Sequence, residues 1–120
     1  MLMVFAALNG ALAVALGAFG AHGLRNQVEA SLIPVWETAA HYHLVHSVAL
    51  LGVALLARVL HSSAAIQAGW LMAAGMLVFS GSLYLLVLSG QRMLGAITPL
   101  GGVALILGWL WLAWALYKAA

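Results

Sequence analysis

Long apolar stretches, interrupted by isolated charged residues, make up most of this chain. The intervals without a charged side chain are residues 1–24, 38–57, 59–91 and 93–117. A helix that crosses a bilayer needs roughly 20 apolar residues, because each residue adds about 1.5 Å along the axis. Each interval therefore holds one crossing and none comfortably holds two. The pattern predicts four helices in one transmembrane domain over residues 1–120, near residues 3–21, 38–59, 66–88 and 97–117.

The environment of these stretches also predicts their secondary structure. Inside a membrane every backbone N–H and C=O must find a partner within the protein, so only helices and closed barrels can cross. Barrel strands alternate apolar and polar residues over about ten positions. The run from Ala49 to Ala57 shows no such alternation. We therefore predict an all-α integral membrane protein, a four-helix bundle with short loops.

Composition agrees with a membrane location and excludes several functional classes. Hydrophobic residues make up 67% of the chain and charged residues 5%, whereas soluble domains carry about 25% charged residues. The four basic residues are scattered, so no basic patch for nucleic acid is present. Without cysteine there is no disulfide framework and no thiolate metal site. The lipid bilayer is the expected partner, with a homo-oligomer or a larger membrane complex as further partners.

Small residues recur on one side of three predicted helices. Membrane helices associate through close contact at such residues, because lipid tails are as apolar as leucine. We expect packing within one bundle in preference to a dedicated dimer motif. The small-residue positions and their neighbours are Ala6, Gly10, Ala13, Gly17 and Gly20, then Gly69, Ala73 and Ser80, then Gly101, Leu105 and Gly108.

Most polar side chains fall toward one membrane face. Four crossings put the link 22–37 and the turn 89–93 on the same side, and several histidines and hydroxyl groups lie in the adjoining half. If the second helix begins near residue 38, His46 lies about 12 Å below its start. We expect a polar cluster in one leaflet, with candidate ligand-binding residues His22, His43, His46, Ser80, Ser82, Tyr84 and Arg92.

Several interpretations of these histidines remain open. Hydrogen bonds across the bundle would fix the register of the helices, a proton- or ligand-handling site would use the same imidazoles, and a metal or haem site would use their nitrogens. No known metal-binding spacing is present, and the chain contains no Asp. No hydrolase or nucleotide-binding motif is found either, so we predict no catalytic residue, no bound metal and no cofactor.

Four ordered motifs connect the chain to a known family. They are GAFGAHGL from Gly17, YHLVH from Tyr42, FSGSLYLL from Phe79 and RMLGAITPLGG from Arg92. Together they resemble the YgdD/YwdK-like family of small uncharacterised inner-membrane proteins, which is similar to a small animal transmembrane protein. The resemblance implies a multi-pass protein of the bacterial inner membrane and supplies no activity.

Three functions are compatible with these observations. The first is a structural, accessory or small-ligand-binding membrane protein. The second is an oligomeric transporter or channel for protons or small solutes, although the first helix offers only Asn9 in place of the acid that small multidrug transporters use. The third is a haem- or metal-binding redox accessory protein that uses His22 and His46.

Basic residues leave the orientation almost balanced. Arg58 and Lys118 fall on one side of the membrane, and Arg25 and Arg92 on the other. Cytoplasmic loops carry an excess of such residues. The N-terminal amine adds one positive charge to the side of the termini, which favours termini in the cytoplasm.

Overall fold

Four long helices make up most of the computed structural model, which describes all 120 residues. They are α1 (Leu2–His22), α2 (Ile33–Val59), α3 (Ser63–Ser89) and α4 (Thr98–Ala119). Each helix is long and apolar enough to cross a membrane, and the chain contains no strand. The predicted all-α, four-helix fold is confirmed.

Helix α2 begins at Ile33, five residues earlier than the sequence pattern predicts. Pro34 lies in its first turn, where the fixed φ of proline suits a helix and the missing N–H costs nothing. The prediction placed the start after Glu37 because that residue is charged, but its side chain is 58% exposed and is tolerated in the second turn. As a consequence His46 is the central residue of α2.

The turns between helices are held by local backbone chemistry. Ser62 caps α3, where its Oγ accepts a hydrogen bond from the Ala65 N–H at 3.2 Å. Gly90 ends α3 in the left-handed region at φ 72°, and its N–H donates to the Leu86 carbonyl. Short 3₁₀ turns complete the longer connections, at Leu24–Asn26, Ala30–Leu32 and Arg92–Ala96.

The helices pack in chain order. α1 lies against α2, α2 against α3, and α3 against α4, whereas α1 and α3 scarcely touch. The Cα positions span 50 × 26 × 18 Å, so the bundle is flattened. α2 and α3 are therefore the inner pair, with one outer helix on each.

Glycines bring α3 and α4 into backbone contact. A Cβ on Gly75 would lie 2.8 Å from the Leu105 nitrogen, and one on Gly101 would lie 2.7 Å from the Phe79 Cα. A Cβ on Gly108 would lie 3.2 Å from the Met72 nitrogen and closer still to its side chain. The predicted contact residues of α3 and α4 are buried, which confirms their packing role.

Two apolar clusters fill the interior. The larger contains fully buried Leu50, Met72 and Met76 and occupies the half of the bundle near the chain termini. The smaller is built around Trp36 and Leu24, toward the connection from α1 to α2. Large apolar side chains also cover the outer surface, as expected where lipid is the solvent. Between the two clusters lies a layer of buried polar side chains.

Candidate functional site

Three polar side chains form a continuous hydrogen-bonded chain across α1, α2 and α3. His43 lies in the middle, with its Nδ1 3.0 Å from the Tyr84 hydroxyl and its Nε2 3.0 Å from Asn9 Oδ1. The Asn9 amide nitrogen donates to the Phe5 carbonyl at 3.0 Å. These hydrogen bonds therefore connect the outer helix α1 to both inner helices.

The hydrogen-bond partners determine which atoms of Asn9, His43 and Tyr84 carry the hydrogens. The Phe5 carbonyl only accepts, so the amide nitrogen of Asn9 must face it and the amide oxygen must face His43. That oxygen accepts, so Nε2 of His43 carries the hydrogen. In a neutral imidazole Nδ1 is then an acceptor, and the Tyr84 hydroxyl donates to it. Every bond in the chain thus points in the same direction.

Tyr84 is held in place by aromatic packing. Its ring centroid lies 4.6 Å from that of Trp36, whose indole N–H donates to the Leu16 carbonyl at 2.8 Å. Trp36 is 1% exposed, and it fits because Gly20 leaves room: a Cβ there would lie 2.6 Å from the indole nitrogen. Trp36 therefore fixes α1 against α2 and supports the ring of Tyr84.

His46 faces the other outer helix. Its Nδ1 is 2.9 Å from the Tyr42 carbonyl, which only accepts, so Nδ1 carries the hydrogen. Its Nε2 accepts a hydrogen bond from the indole N–H of Trp109 in α4 at 3.1 Å. His43 and His46 thus bind opposite outer helices, and they hold opposite tautomers.

The predicted serines bond to backbone or to other hydroxyl groups. Ser80 donates to the Ala39 carbonyl at 2.8 Å and so joins α3 to α2. Ser82 lies 2.6 Å from the Thr98 hydroxyl, joining α3 to α4. Every buried polar side-chain atom in the chain has a partner.

Two of the seven predicted residues lie apart from this network. His22, in the last turn of α1, and Arg92, in the turn before α4, are exposed and make no hydrogen bond or ion pair within the chain. The structure therefore does not bring them to His43 or Tyr84. Of the buried residues, His46 is the central residue of α2 and His43 lies three residues from it toward the start of that helix.

A groove opens beside this hydrogen-bonded chain, between α1 and α3. Its volume is about 160 Å³, and its walls are mostly apolar. Leu12 and Leu77, which stand on its two sides, are 50% and 48% exposed. The groove therefore faces lipid. Its floor is polar, because Asn9, His43 and Tyr84 lie there. Its lining residues are Asn9, Leu12, Leu16, His43, Met76, Leu77, Ser80, Gly81 and Tyr84.

A second groove of about 250 Å³ lies between α2 and α4. Tyr42, Phe79 and Trp109 give it aromatic walls, and His46 contributes its imidazole. Both nitrogens of that imidazole are already bonded to the protein.

Comparison with known proteins places the chain in a family. Residues 16–102 match the family model described as a protein of unknown function, DUF423. The chain belongs to the DUF423 family. It is 47% identical over 117 residues to the UPF0382 membrane protein YwdK of Bacillus subtilis (strain 168), covering 97% of this chain and 95% of that protein. No solved structure matches the chain.

Other relatives agree with this assignment. The chain is 44% identical over 123 residues to a UPF0382 membrane protein of Staphylococcus aureus (strain bovine RF122 / ET3-1), covering 100% of this chain and 98% of the relative. The predicted family is confirmed, and this DUF423 member is a multi-pass membrane protein of a family without an assigned function.

No group of three His, Asp or Glu side chains in this DUF423 chain comes close enough to hold a metal ion. Both ring nitrogens of His43 and of His46 have protein partners. A metal or haem iron would have to displace one of these bonds to reach either imidazole.

Sequence reasoning missed three residues that complete the network. The sequence alone gives Asn9 no partner, yet it is the α1 partner of His43. Trp36 and Trp109 each use the indole N–H to join two helices. Two signals in the sequence indicate such residues. One is a polar residue within a charge-free stretch, and the other is an aromatic residue beside a series of small residues.

Proposed function

We propose that this DUF423 protein is a non-enzymatic accessory membrane protein that takes a small amphipathic molecule from the bilayer into the groove between α1 and α3. The observation that carries the proposal is the position of the Asn9–His43–Tyr84 chain on the floor of that groove. Ligand sites are typically apolar cavities with a few polar groups that fix orientation.

The depth of the groove supports a ligand that enters from the lipid. His43 lies three residues from the centre of α2, or about 4.5 Å along the axis. Polar side chains this far inside a membrane are costly and mark functional pathways or sites. Exposed Leu12 and Leu77 at the mouth offer an entry from the acyl chains.

The absence of a nucleophile–base pair supports a non-enzymatic role. Ser80 and Ser47 donate to backbone carbonyls at 2.8 and 2.7 Å, not to an imidazole nitrogen. A serine nucleophile would need its hydroxyl bonded to a base.

Packing between the inner helices bears on the transport alternative. Leu50, Met72 and Met76 are each 0% exposed and fill the space between α2 and α3. These side chains leave no open path between α2 and α3, which favours an accessory role over transport through the centre of one copy.

Photolabelling of the protein in lipid nanodiscs tests the proposal. The probe is a para-alkylphenol that carries a diazirine and an alkyne, and labelled residues are mapped by mass spectrometry. We expect labelling concentrated on groove residues such as Leu12, Leu77 and Gly81. Equal labelling of all lipid-facing residues would contradict the proposal.

Two glycines provide a matched pair of variants for this experiment. A Cβ on Gly81 or on Gly52 meets nothing within 4 Å, so both positions accept a side chain. Only Gly81 lines the groove. Gly81→Leu should remove the concentrated labelling, whereas Gly52→Leu should leave it unchanged.

A further inference from the structure

We infer that the groove between α1 and α3 selects amphipathic molecules whose head is a single ring bearing a hydroxyl group. This inference rests on the proposed function and names the class of ligand. It follows from the hydrogen-bonding capacity that the protein leaves unused at the groove floor, and from the size of the groove.

The donors at the floor are nearly all in use. The Tyr84 hydroxyl donates to His43, the His43 Nε2–H donates to Asn9, and the Ser80 hydroxyl donates to the Ala39 carbonyl. An amide nitrogen carries two hydrogens, and one of those on Asn9 bonds the Phe5 carbonyl. The second Asn9 hydrogen is therefore the remaining side-chain donor among the polar residues that line the groove.

Acceptors, in contrast, remain available. A hydroxyl oxygen that donates one hydrogen bond can still accept, so Tyr84 Oη can receive a bond from a ligand. Tyr84 and Asn9 keep 9% and 8% of their surface exposed, more than His43 or Ser80. At Tyr84, a ligand hydroxyl could donate without breaking the bond to His43, whereas a ligand carbonyl at the same place would compete with His43 for the tyrosine hydrogen.

The common direction of the hydrogen bonds from Tyr84 to Asn9 strengthens the preference for a ligand that donates. Each bond from Tyr84 through His43 to Asn9 polarises the next, and such chains are cooperative. A hydroxyl that donates to Tyr84 Oη extends the chain in its existing direction. An acceptor at the same place would require Tyr84 to turn its hydrogen away and leave His43 Nδ1 without a partner.

The volume of the groove matches a ligand head of about one ring. The groove measures about 160 Å³, and an apolar cavity of about 150 Å³ is known to hold one benzene molecule. The open side between Leu12 and Leu77 lets an attached alkyl chain continue into the bilayer.

A competition experiment with matched ligands tests the inference. Para-dodecylphenol has a hydroxyl hydrogen that its methyl ether replaces with a methyl group, so only the phenol can donate a hydrogen bond. Each compound is titrated as a competitor of groove labelling by the photoactivatable phenol in nanodiscs. We expect the phenol to compete about tenfold better, as one added hydrogen bond predicts. In Tyr84→Phe that advantage should disappear, while Tyr42→Phe should retain it.

Each outcome of this experiment has a distinct meaning. Equal competition by phenol and ether overturns the hydroxyl preference but leaves binding in the groove intact. No displacement by either compound overturns the proposed function as well. A phenol advantage that persists in Tyr84→Phe overturns the assignment of Tyr84 as the acceptor. Circular dichroism and detergent unfolding of each variant show whether it is folded.

Discussion

The hydroxyl of Tyr84 donates a hydrogen bond of 3.0 Å to Nδ1 of His43, between the two inner helices. Because Nδ1 is thereby used as an acceptor, the imidazole turns its Nε2–H toward Asn9 on the outer helix α1. One side-chain contact between the inner helices thus fixes a tautomer, a ring orientation and the position of a third helix.

Removal of the Tyr84 hydroxyl should destabilise the bundle. Tyr84→Phe leaves Nδ1 of His43 without its donor, and we expect a loss of about 1 kcal/mol, since side-chain hydrogen bonds between membrane helices average about 0.6 and reach about 1.7 kcal/mol. Unfolding by sodium dodecyl sulfate, followed by circular dichroism, measures the change. Tyr42→Phe is the control, since Tyr42 is exposed and its hydroxyl makes no hydrogen bond within the protein. Equal losses in both variants would contradict the assignment.

Substitution of Gly101 should disrupt the contact between α3 and α4. A Cβ there would lie 2.7 Å from the Phe79 Cα, and backbone on both sides prevents relief. We expect Gly101→Ala to cost about 1–3 kcal/mol, as overpacking does. At neighbouring Gly102 the nearest atom is 3.7 Å away, so Gly102→Ala should change the unfolding free energy by less than about 0.5 kcal/mol. The same unfolding measurement compares the two.

The contact between α1 and α2 can be tested in the same manner. Gly20→Ala should displace the indole of Trp36 and break its bond to the Leu16 carbonyl, whereas a Cβ on Gly17 meets nothing within 4 Å. We expect fast solvent exchange of the Trp36 indole N–H in Gly20→Ala and slow exchange in Gly17→Ala, measured by ¹⁵N-resolved NMR. Slow exchange in both would show that Trp36 does not depend on this gap.

The sequence was informative about the fold because charges are rare. Four charge-free intervals were enough to predict four helices, and a glycine ridge indicated Gly101 and Gly108 as contacts. The charge pattern does not predict the early start of α2, because it makes Glu37 a boundary, yet an exposed carboxylate near a helix end costs little. That five-residue difference places His46 at the centre of α2 and His43 three residues from it.

The site was predicted less completely, for a physical reason. Helical spacing indicated that His43 and His46 share a side of α2. Their partners come from α1, α3 and α4, and the choice of Asn9 or Trp109 depends on how those helices pack. Packing between helices is set by side-chain shape along the whole interface, which spacing along one helix does not encode. His22 and Arg92 were grouped with the site by membrane side alone.

Orientation in the membrane is a further prediction. The basic residues are balanced between the two sides, and we propose that the termini are cytoplasmic because the N-terminal amine adds charge there. A C-terminal fusion to green fluorescent protein should fluoresce, and the same fusion to alkaline phosphatase should be inactive. The reverse pattern would contradict the proposed orientation.

The ¹⁵N spectrum of His43 in lipid bilayers tests the central claim most directly, since the network and the ligand proposal both depend on its protons. We predict a neutral ring with hydrogen on Nε2 and none on Nδ1, and a His46 ring with the opposite arrangement. Both His43 signals should shift in Asn9→Ala and in Tyr84→Phe. Hydrogen on Nδ1 of His43, or signals that neither variant alters, would contradict the account.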